Sequence, residues 1–543
     1  MEAALSFMAA LATVHLALWL AIVSLRLAVD ADLHPSDAVL AFLIAVAGCI
    51  LAGRSQAAIR ATAIIGSALL LATWGVALIY AAALDSLSYD GQTYHALAIR
   101  HLRDGWNPFR DQLTPNVPPM TWLNHYPKAS WIWATGIEAM VGSYQAGKAT
   151  NLVLAIAAGA AVFSAASAVV HAPKWACFLF GALAAANPVA SVQMAEYYVD
   201  GLLGSLLTIM AAGALIWTRR QSPLALLMIC AAAICLVNVK FTGLVYALLL
   251  GSVVFAVSLL RRRTRLAGAL PVLACLLAVV GPGYNPYVTN MLDGDHIFHP
   301  VMGDRQIDIL GISDSTPSPL DGYPAAAQLA LSLASETANS CRKCDPGRLK
   351  PPFVVRESEI RGATIPDPRT GGFGPLFSAA LLLAAILLVV SMRAGAASMT
   401  LGISLVVLVG LVMVNPAAWW ARYVPHLWLI PLTIAAFLHR AELGPIGRVA
   451  RIALLVVLVA NAGFMAVIAS GYAAYSTLEA RAQVANLARS GPVYVAASPW
   501  AGALQRLHDG GVAVAEREFG QPDCQEVVTV LRSDLDVCVP VAP

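Results

Sequence analysis

The chain has 543 residues, 59% of them hydrophobic and only 12% charged, with a net charge of +3. Soluble domains carry about a quarter charged residues, so this composition excludes an ordinary soluble protein and points to an all-α polytopic membrane protein. The small total charge names no partner by itself, and no nucleic-acid partner is expected.

Nearly uncharged windows recur along the chain, and a helix needs about twenty such residues to cross a bilayer, so about thirteen spans are predicted. They lie at 5–26, 36–53, 61–84, 147–170, 174–192, 199–217, 223–238, 241–260, 265–282, 374–392, 397–415, 423–439 and 451–471. No small-residue cleavage site follows the first, which reads as a retained helix and not a signal peptide. Clustered arginines occupy "RSQAAIR" (54–60), "TRRQ" (218–221), "RRRTR" (261–265) and "HRAELGPIGRVAR" (439–451). The positive-inside rule places all four in the cytoplasm, together with the N-terminus. Three large segments then fall outside: 85–146, 283–373 and the tail from 472.

The first outer segment begins with "DGQTYHALAIRHLRDGWNPF" (90–109), where Ile99, Leu102 and Trp106 among arginines predict a helix lying in the membrane interface. It continues with the proline-rich "TPNVPPMTWLNHYPKASWIW" (114–133), which puts Trp122, Trp131 and Trp133 at headgroup level. The second outer segment is too long for a bare connection and includes a predicted helix over 324–338. The tail starts with a helical stretch (472–489), and "PVYVAAS", "GVAVAE" and "EVVTVL" then read as short strands. The expected division is a transmembrane domain over 1–471 and a small extracytoplasmic α/β domain over 472–543.

Of nine cysteines, Cys49, Cys177, Cys230, Cys235 and Cys275 lie inside predicted spans. Cys341 and Cys344, and Cys524 and Cys538, lie outside, where disulfides persist, so two local bridges are predicted. A four-cysteine zinc site joining loop and tail is the other arrangement these residues allow.

With orientation set, polar residues gather on the outer face. Asp90, Tyr94 and His95 open the first outer segment, and "QMAEYYVD" (193–200) is a short outer turn with Gln193, Glu196, Tyr198 and Asp200. Lys240 sits at an outer junction of two spans, Asn285 opens the second outer segment in "YNPYVTN", and "WWARYVPHLW" (419–428) brings Arg422 and Tyr423. Each has an ordinary structural use: aspartate as an N-cap, Lys and Arg snorkelling to headgroups, tyrosines in an aromatic belt. Carboxylates, amides and cations together at outer helix ends indicate a functional cavity. Cations there run against the positive-inside bias, which an anionic partner would explain.

An acidic motif directly after a span, an interfacial helix ending in "GWNP" and an "ARY..P" motif near the last spans resemble the GT-C superfamily of membrane glycosyltransferases. "EYYVDG", "KFTGL" and "NPYVTN" resemble motifs of bacterial members. The resemblance spans residues 60 to 440 in topology and some forty residues in motif. Many relatives carry two adjacent acids, whereas Asp90 is followed by Gly91, with Asp85 five residues back. The base therefore stays open between Asp90 and Asp85. Two extra spans before the acidic loop are a second departure.

The resemblance implies an inverting transfer of a sugar from a polyprenyl-phosphate donor to an envelope lipid, glycan or protein outside the bacterial inner membrane. Asp90 would be the general base, Lys240 and Arg422 would face the lipid phosphate, and Tyr94, His95, Gln193, Glu196, Tyr198, Asn285 and Tyr423 would contact substrate. No metal or other cofactor is expected, because a lipid phosphate is already a stabilised leaving group. A transporter or flippase of an anionic lipid or glycan, and a glycan polymerase or ligase, are the alternatives.

Overall fold

Where lipid offers the backbone no hydrogen-bond partner, alanine- and leucine-rich runs close their own bonds as helices. The computed structural model describes residues 1–55, 58–260, 265–293, 296–304, 306–307, 316–317, 320–339, 348–496, 498–516 and 524–540. Helices stand at each expected position. Among the described residues, six helices can cross a membrane by length and apolarity, and a seventh if Arg265–Val280 and Tyr284–Leu292, bent by 75°, count as one. The others are apolar helices of 10–17 residues. The chain is a multi-pass membrane protein, and these criteria alone license fewer than thirteen spans.

α1 (Glu2–Ala28) is largely buried and packs against α2 (Ser36–Ala52) and α3 (Ile59–Ala83), among others. A π-helical turn, Gly91–His95, leads into α4 (Ala96–Arg103), whose Ile99 and Leu102 are buried against the protein. α5 (Met120–His125) and α6 (Ala129–Val141) follow. α6 was not foreseen, and it corrects the placement of two tryptophans: Trp131 and Trp133 are buried on it, the latter donating to the Leu16 carbonyl at 3.2 Å. α7 (Ala149–Ala165) and α8 (Lys174–Ala185) come next. The helix expected to run to 192 breaks at Asn187–Pro188, because proline lacks the N–H to continue it, and restarts as α9 (Pro188–Gln193).

α10 (Asp200–Arg220), α11 (Pro223–Val239) and α12 (Phe241–Leu260) form an antiparallel set. α11 and α12 reverse at one extended residue, Lys240. The reversal is tight enough that a Cβ on Gly243 would stand 2.0 Å from the Leu236 carbonyl oxygen. α13 (Arg265–Val280) and α14 (Thr289–Leu292) make the bent pair, and α15 (Ala325–Leu333) and α16 (Glu357–Gly362) lie in the second outer segment. α15 ends before the expected 338, where Ser335 and Ala338 form bridges to Leu349 and Thr370.

α17 (Phe377–Arg393), α18 (Met399–Met413) and α19 (Leu429–Phe437) precede α20 (Gly444–Arg489), one unbroken helix where a span and a separate tail helix were expected. Its end contributes Val484 and Leu487 to the core of a small α/β unit. There β1 (Val493–Val495), α21 (Ala501–Asp509) and β2 (Val514–Glu516) form a parallel crossover, and β3 (Cys524–Thr529) and β4 (Asp536–Pro540) complete a sheet of order β2-β1-β4-β3. Cys524 and Cys538 are joined by a disulfide. Cys341 and Cys344 lie outside the described residues.

Candidate functional site

One cavity of about 860 Å³ opens where the start of α10, the end of α11 and the start of α12 meet the turn Gly91–His95 and residues of the 283–373 segment. That is the size of a site that encloses a sizeable ligand, for which about 300–1,000 Å³ is usual. Its charged lining consists of three carboxylates, Asp90, Asp200 and Asp367, and three cations, Lys240, Arg369 and Arg422. The lining also includes the apolar side chains of Val239, Phe241, Val245, Val301 and Met302.

Asp90 reaches this cavity because its neighbours are committed elsewhere. It stands at the N-cap of the turn Gly91–His95, yet its side chain makes no capping bond. Ser88 Oγ accepts from the Gly91 N–H instead, at 3.3 Å. Glu196 holds the preceding residues, accepting from Ser86 Oγ at 2.6 Å, Ser88 Oγ at 2.7 Å and the N–H groups of Leu87 and Ser88. Asp85 points the other way, into an ion pair with Arg481 at 2.8 Å, and does not line the cavity. Only Asp90 in this stretch presents a carboxylate to the cavity, with Tyr94 donating to it at 3.3 Å and Arg422 at 3.4 Å.

Arg422 lies in a short 3-10 turn, Ala421–Tyr423, just before the Pro425 that starts the run into α19. Its side chain is 11% exposed and reaches all three carboxylates: Asp367 at 3.2 Å, Asp90 at 3.4 Å and Asp200 at 3.9 Å. Its plane lies near the rings of Trp420 (4.7 Å) and Tyr198 (5.0 Å), a stacked setting that suits guanidinium and not ammonium. Lys240 is placed by its helix reversal, paired with Asp200 and standing 4.3 Å from the Tyr423 ring centroid. Burial pushes the Asp90 carboxyl above its ordinary value, Arg422 opposes this, and Asp367 and Asp200 add to it.

His95 is 3% exposed and accepts at Nδ1 from the Trp131 indole at 2.6 Å. Indole only donates, so the proton sits on Nε2, which has no partner among the described residues. Burial lowers its pKa to about 3, leaving a neutral donor beside the charged cluster.

The cavity thus brings together Asp90, Tyr94, His95, Tyr198, Lys240, Arg422 and Tyr423. Three expected contact residues lie outside it. Gln193 is 1% exposed, donates to Asp200 and the Pro366 carbonyl and accepts from the Gly201 N–H, so it orients Asp200. Glu196 is consumed by the serine turn. Asn285 is buried at the α13–α14 bend. The polarity of Gln193 and Glu196 is taken up by protein partners, whereas Asn285 Oδ1 has no partner among the described residues.

Asp367 and Arg369 were not foreseen. Asp367 accepts from Trp420 Nε1 and Arg369 Nε, both at 2.9 Å, and Arg369 also lies 4.2 Å from the Trp420 ring centroid. The available signal was "IPDPRTGG" (365–372), an acid and a base spaced among prolines and glycines.

Glu196→Ala is expected to cost at least about 3 kcal/mol, since it strips a charged acceptor from four buried donors. Melting in detergent checks this. Loss of function at unchanged melting would instead make Glu196 a ligand contact.

No family model matches the chain, and no curated protein does. Among solved structures it is similar to the crystal structure of ArnT from Cupriavidus metallidurans bound to undecaprenyl phosphate, at 12% identity and a TM-score of 0.46, over 84% of this chain and 85% of that one.

Proposed function

We propose that this chain is an inverting glycosyltransferase that moves a sugar from a polyprenyl-phosphate donor to a hydroxyl of an envelope lipid, glycan or protein. The observation that carries the reading is one carboxylate, Asp90, beside a stacked guanidinium, Arg422, in a cavity lined by both charged and apolar side chains. The apolar side chains suit an isoprenoid tail, and the cations suit its phosphate.

In the reaction, Asp90 takes the acceptor hydroxyl proton as that oxygen bonds to the anomeric carbon. The bond from that carbon to the phosphate oxygen breaks, and its electron pair leaves on the lipid phosphate. Asp90 loses a negative charge as the phosphate gains one, so the total in the cavity is unchanged. Arg422, within reach of Asp90, can shift its attraction from carboxylate to phosphate, and Lys240 adds a point charge nearby. His95 Nε2–H, Tyr94 and Tyr198 supply donors and ring faces for sugar hydroxyls. With these cations present the step is expected to need no divalent metal. The site would face the periplasm of a bacterial inner membrane, with the N-terminus inside.

The test compares envelope lipids and glycans by mass spectrometry from cells with wild type, Asp90→Asn or a deletion at matched expression. Loss of the same sugar-sized mass from both altered strains supports the transferase. A deletion phenotype that is not a sugar mass favours transport of an anionic lipid through the same cavity.

A further inference from the structure

We infer that the C-terminal domain is a positioning element of this site, holding the turn that carries Asp90 through Gln92 and Tyr89. Gln92 is fully buried two residues beyond Asp90, and both polar atoms of its amide are engaged. The nitrogen donates to the Leu87 carbonyl at 2.9 Å and to the Arg532 carbonyl at 2.5 Å, and the oxygen accepts from Arg506 Nη2 at 2.9 Å. Arg506 lies on α21, is 5% exposed and also donates to the Leu531 carbonyl at 3.1 Å. The Gln92 side chain is therefore a joint between membrane domain and sheet.

Two further contacts land on the same turn. The Trp500 ring meets Tyr89 edge to face at 5.3 Å, and both Tyr89 and the adjoining Pro499 line the cavity. At Gly502 a Cβ would come within 2.8 Å of Gln92 Cα, so α21 approaches the backbone as closely as a glycine allows. On the side before Asp90, α20 fixes Asp85 through Arg481 and through Thr477, whose Oγ1 accepts from the Asp85 N–H at 3.0 Å. The C-terminal region thus grips the acid turn at positions 85, 89 and 92 and leaves 90 free. A displacement of Gln92 carries Asp90 with it, and a shift of about 1 Å in a reacting group can cost about a hundredfold in rate.

The catalytic consequence rests on the transferase reading, but the clamp can be measured without it. In full-length protein, Arg506→Met keeps the aliphatic stem and removes the donor to Gln92. Hydrogen exchange read by mass spectrometry in detergent should then rise about tenfold or more at residues 88–95, with α20 and the sheet still protected. Sugar transfer in cells should fall about ten- to a hundredfold. Arg506→Lys should recover part of both, and Trp500→Leu should loosen the turn from its other side. Unchanged exchange at 88–95 overturns the clamp, as does raised exchange with full transfer. Raised exchange throughout 490–540 overturns it too, because Arg506 would then merely hold the domain together. Asp90→Asn in the same series separates the failures: if its product persists, the transferase reading falls while exchange still decides the clamp.

Discussion

Asp90→Asn is expected to reduce sugar transfer by about 10²–10⁴-fold, the usual contribution of a positioned general base. Asparagine keeps the shape but cannot take a proton. Stability should change little, because Arg422 retains Asp367 at 3.2 Å and Asp200 at 3.9 Å, and a desolvated charge is removed. Wild-type rates in membrane vesicles should rise with pH, since the base works deprotonated. The midpoint should lie above about 3.9, the ordinary aspartate value. Burial of Asp90 raises it first, Arg422 opposes, and Asp367 and Asp200 raise it further. A rate that stays flat from about pH 4 to 7 would remove Asp90 as the base.

Arg422→Gln is expected to damage both fold and chemistry. It leaves Asp90, Asp200 and Asp367 facing one another with only Lys240 and Arg369 to offset them. Removing one partner of a buried ion pair costs about 3–5 kcal/mol. Losing a donor aimed at developing charge costs about 10²–10³ in rate. Arg422→Lys separates the two effects: it restores a charge and so recovers melting, but it loses the planar fork and the stacking on Trp420 and Tyr198. Melting in detergent beside transfer in vesicles reads the difference. Full transfer by Arg422→Lys would show that a point charge suffices and that the phosphate is not held bidentately.

The helices were legible from the sequence because lipid imposes one local rule: apolar residues for about 30 Å, with all backbone bonds internal. The arginine clusters set an expected sidedness for the polar residues by the same kind of short-range rule. Asp90, Lys240 and Arg422 could thus be picked out one by one, as charges at helix ends where lipid would reject them unless they had partners. The short strands at 493–495, 514–516 and 524–529 were legible from their valine-rich runs between turns.

What only the tertiary structure decided is which polar groups are already used. Glu196 and Gln193 look like ligand residues in sequence, but Glu196 is bound to Ser86 and Ser88, over a hundred positions away, and Gln193 to Asp200 and the Pro366 carbonyl. Asp85 and Asp90 are equivalent as letters, and they differ because Arg481, nearly four hundred residues on, claims the first. Asp367 and Arg369 enter the site only because the second outer segment folds back onto Trp420 and Arg422. Composition and periodicity report a residue's preference for lipid, water or helix, whereas hydrogen-bond saturation depends on partners that no local pattern specifies.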